Sequence, residues 1–301
     1  MTVRIGINPI TWSNDDLPEL GGDIPLETCL SEAHQAGYAG IELGNKFPRT
    51  ADALSPLLTR HGLSLVSGWF SGGLLARSVA EEIAAISAHL ALLAALGSRV
   101  LVYAETTGAI GGARSTPLSR RPHLADSEWT DFGAKLTRLG EHTAARGVGL
   151  AYHHHMGTVV ESAADIDKLM AASGAAVGLL LDTGHLVYAG ADPLAVARRY
   201  AGRINHVHCK DVRAAVLARA RAADMSFLDA VVGGVFTVPG DGCIAFDPIL
   251  AQLGQADYGG WLVVEAEQDP AKAHPLTYAR MGYDHLSAAA RRAAMRPEEA
   301  R

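Results

Sequence analysis

Residues 177–182 read VGLLLD, an apolar run that closes on a carboxylate, Asp182. Two later runs end in the same manner: INHVH closes on His208 and WLVVE on Glu265. One run earlier, LAYHHH finishes in three imidazoles, His153, His154 and His155. As parallel strands of a closed barrel, these runs bring their C-terminal ends to one mouth, where side chains far apart in sequence surround a single point. Oxygen and nitrogen donors gathered there suit a divalent metal ion. The chain reads as an enzyme.

Working outward, strand-like runs alternate with helical stretches along the chain. The runs are 3–8, 39–43, 63–69, 99–105, 148–155, 177–182, 203–209 and 261–267. Eight of them fit a TIM (β/α)8 barrel, an α/β fold with right-handed crossovers. Helical stretches at 26–37, 78–97 and 124–147 end on Gly37, Gly97 and Gly147, which suit helix C-caps. An open doubly wound sheet shares the alternation but needs a glycine-rich loop after its first strand. GINPITWSN puts proline and tryptophan there instead. Residues 1–301 are accordingly expected to form one barrel domain. Two stretches break the rhythm: a polar loop at 106–123 and an insertion at 210–243, both expected on the active-site face, where such loops shape or cover a pocket. The tail RRAAMRPEEAR reads as a fraying, dispensable helix end.

Bulk properties narrow the function. Hydrophobic residues make up 49% of the 301 and charged ones 19%, enough for a large core and a polar surface. A net charge of −6 gives no footprint for nucleic acid. The basic cluster from Arg114 to Arg121 is too short to alter that, though it suits an anionic small molecule. Three widely spaced cysteines, Cys29, Cys209 and Cys243, make no disulfide framework and point to a reducing compartment. MTVRIGINP has no signal-peptide pattern, and no run reaches the roughly 18 apolar residues of a membrane helix. A cytoplasmic protein is expected.

Several residues could carry chemistry. Asp182 opens Asp-Thr-Gly-His, a hard ligand followed by a turn and the imidazole of His185; the bland alternative is a helix N-cap. In His-Val-His-Cys-Lys-Asp, strand alternation puts His206, His208 and Lys210 on one face and Cys209 on the other. Burying so many polar groups unpaired costs a few kcal/mol each, so they are poor core filler. A lysine beside a metal can neutralise a developing oxyanion or act as an acid. Glu265 and Glu267 share a face, as do His153 and His155, so that one or two of the three histidines reach the metal. Glu42 and Glu105 add inward carboxylates at the ends of the second and fourth strands. Trp12 and Trp69 could wall a sugar-like ring, although each alone reads first as a core residue.

With these residues in place, a family resemblance emerges. GINPITWSNDDLPELGG, GYAGIELGNKFP, SGWFSG, GARSTPLSRRP, LAYHHHMGT, LLDTGH, HVHCKD and VPGDGCIAFDPIL resemble the inosose dehydratases of inositol catabolism. These are xylose-isomerase-like barrels, a superfamily that includes sugar isomerases, epimerases and endonuclease IV. In it the metal is typically held by Glu, Asp, His and Glu from the fifth to eighth strands. Asp182, His208 and Glu265 match the last three, while His153 stands where the isomerases carry Glu. Joined to the residue reading, the resemblance implies a metal site of His153, Asp182, His208 and Glu265. It leaves His155, His185 and Lys210 for acid–base or oxyanion roles, and Glu42, Trp69, Glu105 and His206 for substrate contacts. It also implies manganese or cobalt, and a use of glutathione. The implied reaction is metal-dependent dehydration of 2-keto-myo-inositol to a trihydroxycyclohexane-1,2-dione.

The competing readings are a metal-dependent sugar isomerase or epimerase, an endonuclease IV-like repair enzyme, and a metal-free barrel that binds a polyol or a partner. The missing Glu on the fifth strand counts against the first and the negative charge against the second. Helix 78–97 or the insertion could serve a homo-oligomer.

Overall fold

The computed structural model describes residues 2–298. Eight parallel strands close on themselves: β1 (Thr2–Ile7), β2 (Gly40–Leu43), β3 (Ser64–Gly72), β4 (Val100–Glu105), β5 (Gly149–His153), β6 (Val177–Asp182) and β7 (Ile204–Cys209). Two short strands, β8 (Asp211–Val212) and β9 (Phe236–Thr237), precede the closing strand β10 (Trp261–Val264). Each barrel strand pairs in parallel with its neighbour, and β10 returns to β1 with Arg4 opposite Trp261. Closure leaves no barrel edge unpaired. Helices cover the outside, so both faces of each strand meet protein and the strands need not alternate polar with apolar. All six residues of β6 are buried.

Local signals start and stop the elements. Ser78 with Glu81 and Ser162 with Asp165 form capping boxes, each satisfying two N–H groups at a helix start. Gly37, Gly97 and Gly147 adopt φ values of 100°, 74° and 77°, the left-handed turn expected of C-caps. Cys209 is buried on the far side of β7 from His208. Burial pushes its thiol above the ordinary range, which leaves it an inert packing group.

Three features depart from the sequence reading. β5 stops at His153 and β10 at Val264, so His154, His155, Glu265 and Glu267 lie in irregular chain beyond the ladders. A tight turn takes over after β5, in which the His155 N–H donates to the Val160 carbonyl. The tail is not a frayed helix: past the helix Pro275–Arg292, Met295 is buried and β11 (Arg296–Pro297) pairs with Thr2 and Val3. An apolar side chain and a free strand foot tie it down. Residues 299–301 of that stretch lie outside the described residues.

The stretch 210–243 has its own architecture. β8 and β9 pair antiparallel beside the helices Ala214–Ala222 and Phe227–Val232, around Val212, Leu217, Phe227 and Phe236. The Asp211 carboxylate anchors it by accepting from the backbone N–H groups of Val212, Gly240, Gly242 and Ile244. Among the described residues no helix is long and apolar enough to cross a membrane.

Candidate active site

Strand register assembles the first group of side chains. Asp182 of β6 lies opposite His208 of β7, and Val263 of β10 lies opposite His208 from the other side, so Glu265 emerges just above it. His153, at the end of β5, completes the set. One donor atom from each of His153, Asp182, His208 and Glu265 lies within 4.8 Å of the others, and all four residues are buried. Asp182 Oδ2 is 3.5 Å from His153 Nε2 and 3.6 Å from His208 Nδ1. His208 Nδ1 is pressed against Glu265 Oε2.

The donor chemistry fits a divalent ion. Asp182 Oδ2, His208 Nδ1 and Glu265 Oε2 are buried with no hydrogen-bond partner outside the quartet itself. Burying such groups unsatisfied is costly, and a cation in their midst removes the cost. The remaining ring nitrogens are occupied in the way metal-binding imidazoles require. His153 Nδ1 lies 2.7 Å from the His154 carbonyl, which puts the proton there and frees Nε2. His208 Nε2 lies 3.1 Å from Glu42 Oε1, which frees Nδ1.

Glu42 is thus a hub behind His208. Its Oε1 also receives His206 Nε2 at 2.8 Å and the Ser67 hydroxyl, and its Oε2 accepts from Asn8 Nδ2 at 2.8 Å. Burial opposes its charge, but His208 and His206 more than offset this and hold its carboxyl well below the usual range. Asp182 is likewise held well below that range, burial being outweighed by Lys210, His185 and the two histidines it faces. Its Oδ1 accepts the His185 N–H at 2.8 Å and starts the helix Thr183–Tyr188. The N-cap and the inward-facing oxygen are two atoms of one residue.

A second group stands beside the first. His155, His185 and Glu267 place donor atoms within 4.8 Å of one another. The rings of His155 and His185 are 4.1 Å apart, and Lys210 Nζ is 3.0 Å from His185 Nε2. Burial pushes the His155 imidazole down, yet its bond to Glu267 wins and its pKa is raised.

A cavity of about 390 Å³ opens over both groups, lined by Asn8, Asp16, Trp69, His155, Glu265 and Glu267 among others. Trp69 is 39% exposed there, its ring 5.4 and 5.6 Å from those of His153 and His155. Thr106, Ala109 and Gly112 bring the 106–123 loop to the cavity wall.

Other residues fall elsewhere. His206 lies below the cavity floor, and Trp12 is core, donating to Glu32. Glu105 does not line the cavity; its oxygens accept the backbone N–H groups of Leu75 and Thr107 and tie two loops together. His185 and Lys210 are fully buried and reach the site from behind. The basic cluster does not hold an anion at this cavity, because Arg121 pairs with Glu161 and Asp165, and Arg114 with Asp229. Sequence reasoning gave no role to Asn8, Asp15 or Asp16, and noted Glu267 only as a repeat of Glu265. The signal was present in SNDD, a polar cluster just past the first strand, where a barrel places site residues.

Fold and donor set define a class of barrel enzymes, and sequence comparison agrees. Residues 30–289 match the family described as xylose isomerase-like TIM barrel, and the chain belongs to it. Within it the chain groups with the inosose dehydratases: it is 47% identical over 279 residues to inosose dehydratase of Geobacillus thermodenitrificans (strain NG80-2), covering 92% of this chain and 94% of that one. Rhizopine catabolism protein MocC of Rhizobium meliloti is 56% identical over 297 residues, 98% of this chain and 91% of its own. A crystal structure of the IOLI protein with a bound zinc atom is similar in fold, with TM-score 0.65 at 16% identity over 95% and 98% of the two chains.

Proposed function

We propose that the protein is a metal-dependent hydro-lyase of inositol catabolism that dehydrates 2-keto-myo-inositol to a trihydroxycyclohexane-1,2-dione. The observation that carries this reading is the buried quartet of His153, Asp182, His208 and Glu265, three of whose inward atoms have no hydrogen-bond partner outside the quartet, under a polar cavity. Near half identity to an inosose dehydratase over almost the whole chain supports the choice of reaction.

The quartet would hold a manganese- or cobalt-type ion, and both elements accept mixed nitrogen and oxygen donors. When bound, the ion supplies Lewis-acid stabilisation of the negative charge that develops as the proton beside the ketone leaves. Of the two imidazoles that line the cavity, His155 and His208, His155 is the one outside the quartet. Its Nδ1 lies 3.0 Å from the Met156 carbonyl, and its Nε2 lies 3.9 Å from Glu267. Glu267 makes the ring more basic, so we assign His155 both transfers: it takes the proton from the carbon beside the ketone and returns it to the departing hydroxyl, which leaves as water. Trp69 offers a flat wall to the ring of the polyol, while Asn8 and Asp16 present hydrogen-bonding groups to its hydroxyls. Glu42 holds His208 in place and also lines the cavity, within reach of substrate, while His206 backs Glu42 from below. Lys210 acts from behind the cavity floor by balancing charge, and His185, which burial and Lys210 keep neutral, stands beside it. No cysteine lines the cavity, so glutathione would act without a protein thiol partner in it.

The test is a dehydration assay on 2-keto-myo-inositol, following the ultraviolet absorbance of the dione. Chelated protein is compared with protein refilled with manganese or cobalt. Absorbance restored by metal supports the lyase. A flat trace in every metal, with interconversion of a ketose and an aldose, would transfer the chain to the isomerase and epimerase reading.

A further inference from the structure

Two sets of ligating side chains that share one rim are what a two-ion site requires. The first set is His153, Asp182, His208 and Glu265; the second is His155, His185 and Glu267. In the second set, His185 Nδ1 and Glu267 Oε2 are buried with no hydrogen-bond partner. Lys210 stands between the two sets. Its Nζ is 3.0 Å from His185 Nε2 and 3.4 Å from Glu267 Oε1 on one side. On the other it is 3.6 Å from Glu265 Oε1 and 3.7 Å from Asp182 Oδ2.

The side chain is locked where it is. It is fully buried, with the Phe236 ring 4.7 Å from Nζ. Its stem runs over Gly184, where a Cβ would come within 2.6 Å of Lys210 Cγ, so only glycine leaves it room. The Lys210 N–H donates to Thr183 Oγ1 at 3.1 Å, and the same hydroxyl donates back to the Lys210 carbonyl at 2.6 Å. The charges agree with one ion. Asp182, Glu265 and Glu267 bring three negative charges to the ammonium; one divalent ion plus the ammonium already balances them, and a proton on His155 beside Glu267 adds positive charge that weighs further against a second ion. A second divalent ion would sit within a few ångströms of that ammonium and be repelled by it.

We infer that Lys210 is a built-in cation that fills the place of a second metal ion, so that the site takes one divalent ion, and that a neutral residue at this position opens a second site on His155, His185 and Glu267. The inference rests on the reading that the first set holds an ion.

The experiment counts manganese. Wild type, Lys210→Met, Lys210→Arg and the double variant Lys210→Met with Glu267→Gln are stripped with chelator, loaded with manganese(II) and desalted, and ions per chain are read by native mass spectrometry. One ion is expected in wild type and in Lys210→Arg, two in Lys210→Met, and one again in the double variant. Two ions in wild type, or one in Lys210→Met, overturns the inference while leaving the metal reading intact. No ion in wild type sinks the metal reading and the inference with it. Should Lys210→Met fail to fold, electron paramagnetic resonance of wild type in excess manganese decides: the hyperfine pattern of an isolated ion supports the inference, and a spin-coupled pair overturns it.

Discussion

Buried carboxylates occur on both sides of the barrel, and the chain treats them differently. On the β3–β4 side, Glu82 is fully buried but accepts from the Gly73 N–H, the Tyr103 hydroxyl and Arg77. Glu105 beside it accepts two backbone N–H groups. On the β6–β10 side, Asp182, Glu265 and Glu267 each keep an oxygen that no hydrogen-bond donor from outside the site reaches. The residue type and the degree of burial are the same, so neither separates structure from chemistry. The supply of donors does. Where the protein provides them, the carboxylate braces the fold; where it withholds them, the proposed function has the carboxylate held ready for a cation from outside.

This contrast can be broken by substitution. Asp182→Asn keeps the oxygen that caps its helix but loses the charge facing the ion. We expect metal affinity and turnover to fall by more than about a hundredfold, since even outer partners of metal sites are worth up to about that much. The metal-free thermal midpoint should fall only modestly, by the attraction to Lys210 that the lost charge supplied. A midpoint that collapses would place Asp182 with the bracing carboxylates. Glu82→Ala should do the reverse, costing roughly 3 kcal/mol of stability by orphaning the Tyr103 hydroxyl and Arg77, with the metal count unchanged. Denaturant unfolding and metal analysis together check this.

Removing the ion sharpens the same comparison. A cation present at about a hundred times its dissociation constant stabilises by roughly 2.7 kcal/mol. Chelator should therefore lower the thermal midpoint of wild type and leave that of Asp182→Asn where it was. The smallest effect is electrostatic and lies on the bracing side. Asp165 is opposed by burial, but the Ser162 backbone and hydroxyl and Arg121 hold its pKa below the ordinary value. A depressed carboxylate stabilises above its unfolded pKa, and the gain is lost as pH falls through the folded one. Wild type should exceed Asp165→Asn in stability at about pH 5, and the gap should shrink as the pH falls below the ordinary aspartate value of about 3.9. A gap constant across that range would remove the charge from the explanation.

The barrel was legible because burial on both faces writes whole strands in apolar letters, as in VGLLLD. Where strands stop was not, because turn hydrogen bonds decide it, such as that from His155 to Val160. The tail misled for a related reason: its polar composition outweighed one buried methionine and a two-residue pairing. In the site, alternation and strand ends nominated Asp182, His208, Glu265 and the run His153 to His155, and the family resemblance singled out His153 within it. They could not separate Glu42, which supports His208 from 166 residues away, from Glu105, which serves two loops. That distinction lies in partners across the barrel, and strand position does not encode it. The same limit hid Asn8, whose amide reaches Glu42.

The divided carboxylate of Asp182 has a spectroscopic consequence. Oδ1 receives the His185 amide while Oδ2 faces the quartet, so a cation on one oxygen draws electron density from the acceptor of the other. The chemical shift and hydrogen-exchange rate of that single amide should therefore register ion occupancy directly. The protein carries its own occupancy gauge at the first turn of a helix, readable without substrate.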